Sequence, residues 1–126
     1  MTKLQAKIKL QSWITDGIED WGGVVSDDFK EFAKDYKAFM KKVCEENGWQ
    51  LVNWNNGHYY CSCFVENHGK YIYMSFSDVR HFSRSWYQNI LYRSAKDSKD
   101  YSGGSNNYTD LDNIEGAFKR MFERMQ

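Results

Sequence analysis

The segment HYYCSCFVENH, residues 58–68, gathers His58, Cys61, Cys63 and His68, the residue types that ligate zinc or supply a thiolate. Structural zinc sites usually set each ligand pair two to four residues apart on a tight turn. Here Cys61 and Cys63 are separated by a single residue in an alternating stretch, so on a strand they share one face while His58 lies on the other. Burial of two small apolar thiols fits that spacing better than metal binding, and a disulfide between them would be strained. Neither a metal nor another cofactor is expected.

A second candidate is DYSGGSNNYTDLDN, residues 100–113. A phosphate-binding loop of the Walker type needs a lysine after its last glycine and a strand that runs straight into the helix. In this chain Ser105 to Tyr108 intervene and no lysine follows. Two glycines and two asparagines read instead as a long turn that tolerates positive φ. From Lys96 to Tyr108 the connection exceeds the usual length, which leaves room for a partner-binding loop.

Nucleophilic catalysis finds no support, since His81 and Asp78 lack a Gly-x-Ser-x-Gly elbow. Glu45, Glu46, Asp110 and Asp112 fall at helix ends, where capping and solvation account for them. No catalytic residue is assigned, and a non-enzymatic protein is expected.

Recognition chemistry is what remains. Between residues 71 and 93, Tyr71, Tyr73, Trp86, Tyr87 and Tyr92 interleave with Arg80, Arg84 and Arg93. Such a mixture suits a protein hot spot, or stacking and phosphate contact along single-stranded nucleic acid. It equally suits a sheet face whose aromatics lie beneath the aliphatic stems of arginines. The expected partner-binding surface is Arg80, Arg84, Trp86, Tyr87, Tyr92 and Arg93, joined by Tyr101, Asn106 and Asn107 of the glycine loop.

The elements that must position these residues follow from periodicity. Ser26 caps a helix in SDDFKEFAKDYKAFMKKVCEENG, with Phe29, Phe32, Ala33, Tyr36, Met40 and Val43 as its apolar stripe and Asp35 and Phe39 on other faces. Asn47-Gly48 stops it. The period then changes to two, with Asn56-Gly57 and His68-Gly69 as turn signals, giving strands at about 49–55, 58–66 and 70–77 and a fourth at 89–95. DVRHFSRSWYQ between them reads as a turn or a single helical turn capped by Asp78. Leu111, Ile114, Phe118, Met121, Phe122 and Met125 make a final helix, with Thr109 and Asp112 as a capping-box variant. Residues 1–22 alternate like a strand but are rich in helix formers, and Leu4, Ile8, Ile14 and Ile18 would line one helical side. The fold class expected is α+β: N-terminal helix or helices, a four-stranded antiparallel meander, and a C-terminal helix on one sheet face.

At 126 residues the chain is read as a single domain, 1–126. Lysine plus arginine and aspartate plus glutamate both number 17, so no net field steers the molecule toward nucleic acid or membrane. One basic cluster, Arg80, Arg84, Arg93, Lys96 and Lys99, is opposed between 80 and 99 only by Asp97. Three cysteines make an odd set, and MTKLQAKIKL lacks a continuous apolar run. A reducing cytoplasm without a secretory signal or membrane span is expected. Pairing of two copies through exposed aromatics is left open.

The Ser-Asp-Val-Arg turn at 77–80, the strand ILYRSA and the loop DYSGGSN resemble the C-terminal part of small proteins carried by phages and conjugative elements of Gram-positive bacteria. The matching features cover about a third of the chain. That resemblance implies a counter-defence factor, such as an anti-CRISPR protein, that occupies a host nuclease without chemistry of its own. The implied partner is a protein, a CRISPR effector nuclease being one such target, and no catalytic motif is carried over. The balanced charge departs from the strongly acidic DNA mimics among such factors. A small nucleic-acid-binding module using the Arg/aromatic surface is the competing expectation.

Overall fold

Helix formation is decided locally at two places. Thr2 and Gln5 form a reciprocal capping box, with Gln5 N–H donating to Thr2 Oγ1 (3.1 Å) and Thr2 N–H to Gln5 Oε1 (2.8 Å), which starts α1 (Lys3–Asp16). Ser26 Oγ accepts from Phe29 N–H (3.1 Å) and starts α2 (Asp27–Asn47), whose first turn carries Asp27 and Asp28. Gly48 ends α2 in the left-handed region at φ 71°. The computed structural model describes residues 1–81 and 84–125.

The expected stripe of α2 is buried, and Asp35 and Phe39 are buried with it. The reason is α1, which packs along that flank and meets Asp35 with Trp13 Nε1 (2.9 Å) and Lys9 Nζ (3.0 Å). On α1 itself Ala6 and Leu10 face inward, whereas Leu4 and Ile8 of the expected stripe point to solvent. Ion pairs from Lys3 to Glu115 and from Lys7 to Asp112, both 2.6 Å, fix that rotation.

The sheet is a five-stranded antiparallel meander in the order β1 (Gln50–Asn56), β2 (Cys61–Asn67), β3 (Lys70–Ser75), β4 (Ile90–Ala95), β5 (Asn107–Thr109). Cys63, Met74 and Tyr92 stand opposite one another across β2, β3 and β4 and face the helices; Phe64, Tyr73 and Arg93 form the adjacent row on the other face. His68 (φ 50°) and Gly69 (φ 82°) make the tight β2–β3 hairpin. Residues 58–60 do not belong to β2, because Tyr59 takes a left-handed φ of 65° and turns the chain out of the ladder.

The fifth strand was not expected. Tyr108 pairs with Leu91 and Thr109 with Ile90, so Thr109 extends the sheet and does not cap the last helix. Asp110 instead closes the turn that leads into α4 (Ile114–Arg124), its Oδ1 accepting from Asn113 N–H (2.9 Å), while Asn113, the N-cap residue, makes no side-chain capping bond. Between β3 and β4 the described part of the expected turn contains α3 (Ser85–Gln88); Phe82 and Ser83 lie outside the described residues. Its Trp86 indole enters the core against Phe32 (5.0 Å), while Tyr36 stacks on Phe76 (4.9 Å), contacts that add about 0.5–1.5 kcal/mol each beyond area burial. Tyr92 packs on Phe118 (5.4 Å) and Trp49 on Phe122 (5.2 Å), so α4 closes the same core. Among the described residues no helix is long and apolar enough to cross a membrane.

Candidate functional site

Arg80 is the most heavily engaged side chain of the expected surface. Its Nη2 donates to Asp78 Oδ2 (2.7 Å), its Nη1 to Asp20 Oδ1 (3.0 Å) and Gly22 O (2.9 Å), and the guanidinium lies 4.1 Å over the Tyr59 ring. The Tyr59 hydroxyl in turn accepts from Trp21 N–H (3.0 Å) and Ser26 N–H (2.8 Å) and donates to Val24 O (2.9 Å). Three hydrogen bonds at one hydroxyl explain why Tyr59 holds a backbone conformation that costs roughly 1–3 kcal/mol. Together Arg80 and Tyr59 clasp the loop 17–25 against the sheet.

The clasp depends on ionised carboxylates. The Arg80 side chain lowers the Asp78 pKa, and the Gly22 N–H followed by Arg80 lowers that of Asp20. A depressed carboxyl stabilises the fold above its unfolded value, about 3.9, and that stabilisation is lost as pH falls through the folded value. Acid titration should therefore release the loop 17–25 below about pH 4, seen as a change in Trp21 emission that precedes loss of helical ellipticity. Simultaneous loss of both signals would show that the clasp has no separate existence.

The glycine loop answers the phosphate question in a different way. Asp100 folds its own carboxylate into the nest, accepting from the N–H groups of Lys96 (2.9 Å), Gly103 (2.8 Å) and Ser102 (3.4 Å), the first of which does most to lower its pKa. The anion is internal. A Cβ on Gly103 would overlap that carboxylate, and one on Gly104, at φ 73°, would overlap the Ser94 carbonyl. Both glycines are thus required by close approach.

The loop so formed crosses the sheet face that the helices leave open. Asn53 Nδ2, at a bulge in β1, donates to Ser98 O (2.9 Å), and Arg93 Nη2 donates to Tyr101 O (2.6 Å). The Tyr101 ring rests on Phe64 (5.2 Å) and Tyr73 (5.7 Å), which is why Phe64 is fully buried although it faces away from the helices. Arg93 lies 5.0 Å over Tyr73, and its Nε finds no protein partner. Tyr101 stays 53% exposed and Tyr108, at the far end of the loop, 59%.

The expected residues are therefore divided. Trp86 and Tyr92 are core residues with no surface to offer. Tyr87 is half-buried, its hydroxyl donating to Asp112 Oδ1 (2.9 Å) and accepting from Gln11 Nε2 (2.9 Å). Arg80 and Arg93 brace loops. Arg84 and Asn106 are exposed, Asn107 is half-buried at the sheet edge, and Tyr101 stands on the loop that Arg93 supports. Tyr108, Tyr60, Trp21 and Val24 are exposed and were not among the expected residues. Tyr108 was legible as the second tyrosine bracketing the glycine loop; Trp21 and Val24 carried no signal, since nothing local marks a tryptophan that fails to be buried.

The three thiols are also accounted for. Burial pushes Cys44 and Cys61 up to about 12 and raises Cys63 well above its ordinary value. All three are free and buried. A thiol reagent at pH 8 should find none of them reactive in the native protein and all three after denaturation; rapid native labelling of Cys61 or Cys63 would contradict this packing. Among the described residues no group of three histidine, cysteine or carboxylate side chains is arranged to hold a metal ion.

Comparison with protein-family models, with curated proteins and with solved structures finds no match.

Proposed function

We propose that the chain is a small binding protein of a mobile genetic element that blocks a host defence nuclease, in the manner of an anti-CRISPR protein, through a protein–protein interface in the host cytoplasm. The observation that carries the binding role is the loop 96–108. It displays two exposed tyrosines around a Ser/Gly/Asn segment, the mixture that antibody paratopes use because tyrosine offers large contact area with few torsions to immobilise. Asp100, Arg93, Asn53 and Gly104 hold the loop in one shape before any partner arrives, which reduces the ordering cost of association. The nuclease target comes from the resemblance of the 77–80 turn, the ILYRSA strand and the DYSGGSN loop to phage and conjugative-element proteins.

A nucleic-acid-binding module on the same surface is less well supported. Its best phosphate ligands, Arg80 and Arg93, already donate to Asp78, Asp20 and the Tyr101 carbonyl. Purified protein should stop target cleavage by an RNA-guided nuclease at near-stoichiometric ratio, and should give no gel shift with a single-stranded oligonucleotide at low salt. Undiminished cleavage across the guided nucleases of Gram-positive hosts sinks the inhibitor reading. An oligonucleotide shift that weakens steeply with salt replaces it with the nucleic-acid one.

A further inference from the structure

Helix α2 carries a row of cations that the proposed interface does not use. Lys30, Lys34, Lys37 and Lys41 recur at spacings of four, three and four residues, so they stack along one side of the helix, opposite the buried Phe32, Tyr36, Phe39 and Val43. At a rise of about 1.5 Å per residue the row extends over roughly 16 Å. Two of the four are answered within the helix, Lys30 lying 3.8 Å from Asp27 and Lys34 3.4 Å from Glu31. Among the described residues no carboxylate comes within ion-pair distance of Lys37 or Lys41. The chain as a whole has equal numbers of basic and acidic side chains, so this excess is local.

The row runs beside the open edge of the sheet. Strand β1 is terminal and pairs only with β2, so its outer side presents backbone N–H and C=O groups to no neighbouring strand. At its start Gly48, Gln50 and Leu51 share an open cleft of about 510 Å³ with Lys41, and at its end Asn56, Gly57 and His58 share one of about 630 Å³ with Lys30. Helix and strand thus run antiparallel, with Lys34 and Lys37 spanning the interval. Among the described residues Glu45 is the one carboxylate lining either cleft, and it pairs with Lys42 (3.4 Å). A register shift between Val52 and Asn55, with Asn53 at φ 51°, divides the edge into ladders at 50–52 and 55–56.

From the open strand edge and the lysine row alongside it, we infer a docking groove for an extended acidic peptide segment. The segment adds to β1 as a short sixth strand, its backbone pairing with residues 50–52 and its aspartates or glutamates meeting the lysines. The dimensions agree, since alternate side chains of a strand stand about 6.6 Å apart and successive lysines of the row about 4.5–6 Å. The edge selects an extended backbone, and the row selects its charge. Single-stranded nucleic acid has the charge but lacks the hydrogen-bonding pattern of a strand. Trp49 and Phe29, the large aromatic rings lining the clefts, are 7% and 1% exposed and offer bases nothing to stack on.

The probes are synthetic peptides of alternating Glu/Thr and alternating Lys/Thr, a Glu/Thr peptide N-methylated at every threonine, and a thymidine oligonucleotide. Each is added to the isotope-labelled full-length protein and followed by NMR. The Glu/Thr peptide should bind, with shifts at the amides of 50–52 and at the Lys37 and Lys41 side chains, and more weakly as salt rises from about 50 to about 300 mM. Glutamine matches lysine in helix propensity, so Lys37→Gln combined with Lys41→Gln should keep the fold and weaken binding by about tenfold. Tyr101→Ala should leave it unchanged. Equal binding of the Lys/Thr peptide removes the charge selection, and equal binding of the N-methylated peptide removes the strand addition; either overturns the inference. No binding of Glu/Thr at low salt overturns it too, leaving the lysines as guards of an edge that pairs with nothing. Preferential binding of the oligonucleotide replaces it with nucleic-acid recognition. Because Tyr101→Ala separates the two surfaces, failure here leaves the loop 96–108 reading standing, and the reverse.

Discussion

Trp86→Ala is expected to lower the free energy of unfolding by about 3–5 kcal/mol, the largest effect of any single change considered, because it empties a tryptophan-sized volume from a core that cannot collapse into it. Trp86 is 1% exposed, its ring meets Phe32 at 5.0 Å, Tyr87 at 5.7 Å and Tyr36 at 6.4 Å, and the Tyr36 hydroxyl donates to its carbonyl (3.0 Å). Domains of this size are stable by about 5–15 kcal/mol, so the variant should sit near the edge of folding at ambient temperature. Two residues away the outcome reverses. Arg84 is exposed, and Arg84→Ala should stay within about 0.5 kcal/mol of the parent. Urea titration of both variants decides the matter, and a Trp86→Ala protein within about 1 kcal/mol of the parent would return that indole to the surface.

Loss of function with only a modest loss of stability is the expected result for Tyr101→Ala combined with Tyr108→Ala. Truncating a hot-spot tyrosine costs about 2 kcal/mol or more, roughly thirtyfold in affinity, so the pair should weaken nuclease inhibition by about a hundredfold or more. Tyr108 is largely exposed, and Tyr101 covers Phe64 and Tyr73 from outside. Thermal unfolding should therefore move by only a few degrees. Asp100→Asn is the informative companion: it keeps both tyrosines but weakens the nest of Lys96, Ser102 and Gly103 N–H groups that shapes the loop. Partial loss of inhibition is expected, through slower association and faster dissociation of a loop that must be ordered on binding. A double-tyrosine variant that inhibits like the parent would remove the loop from the interface.

Much of the scaffold was legible. The three-and-four spacing of α2 and α4, the Ser26 cap, the Gly48 stop and the His68-Gly69 hairpin are local patterns, and each stands where the periodicity put it. The alternation through 61–65 and 70–75 likewise sorted Cys61 and Cys63 from their neighbours correctly. The expected surface was less legible. Trp86 and Tyr92 have the same residue types as a hot spot, and composition alone does not distinguish an indole that binds a partner from one that fills a core. Leu4 and Ile8 were assigned inward because they are apolar, whereas the ion pairs of Lys3 and Lys7 with Glu115 and Asp112 rotate them outward.

By itself, then, the sequence determined the α+β class, the two amphipathic helices, the antiparallel order of the central strands and the inward face shared by Cys61 and Cys63, because each of these follows from patterns between residues close along the chain. Tertiary structure alone decided that Arg80 reaches back sixty positions to Asp20, that Tyr101 roofs Phe64, and that Trp21 is left in water. Those outcomes depend on which distant segment arrives to cover a given face, and periodicity records only which side chains share a face.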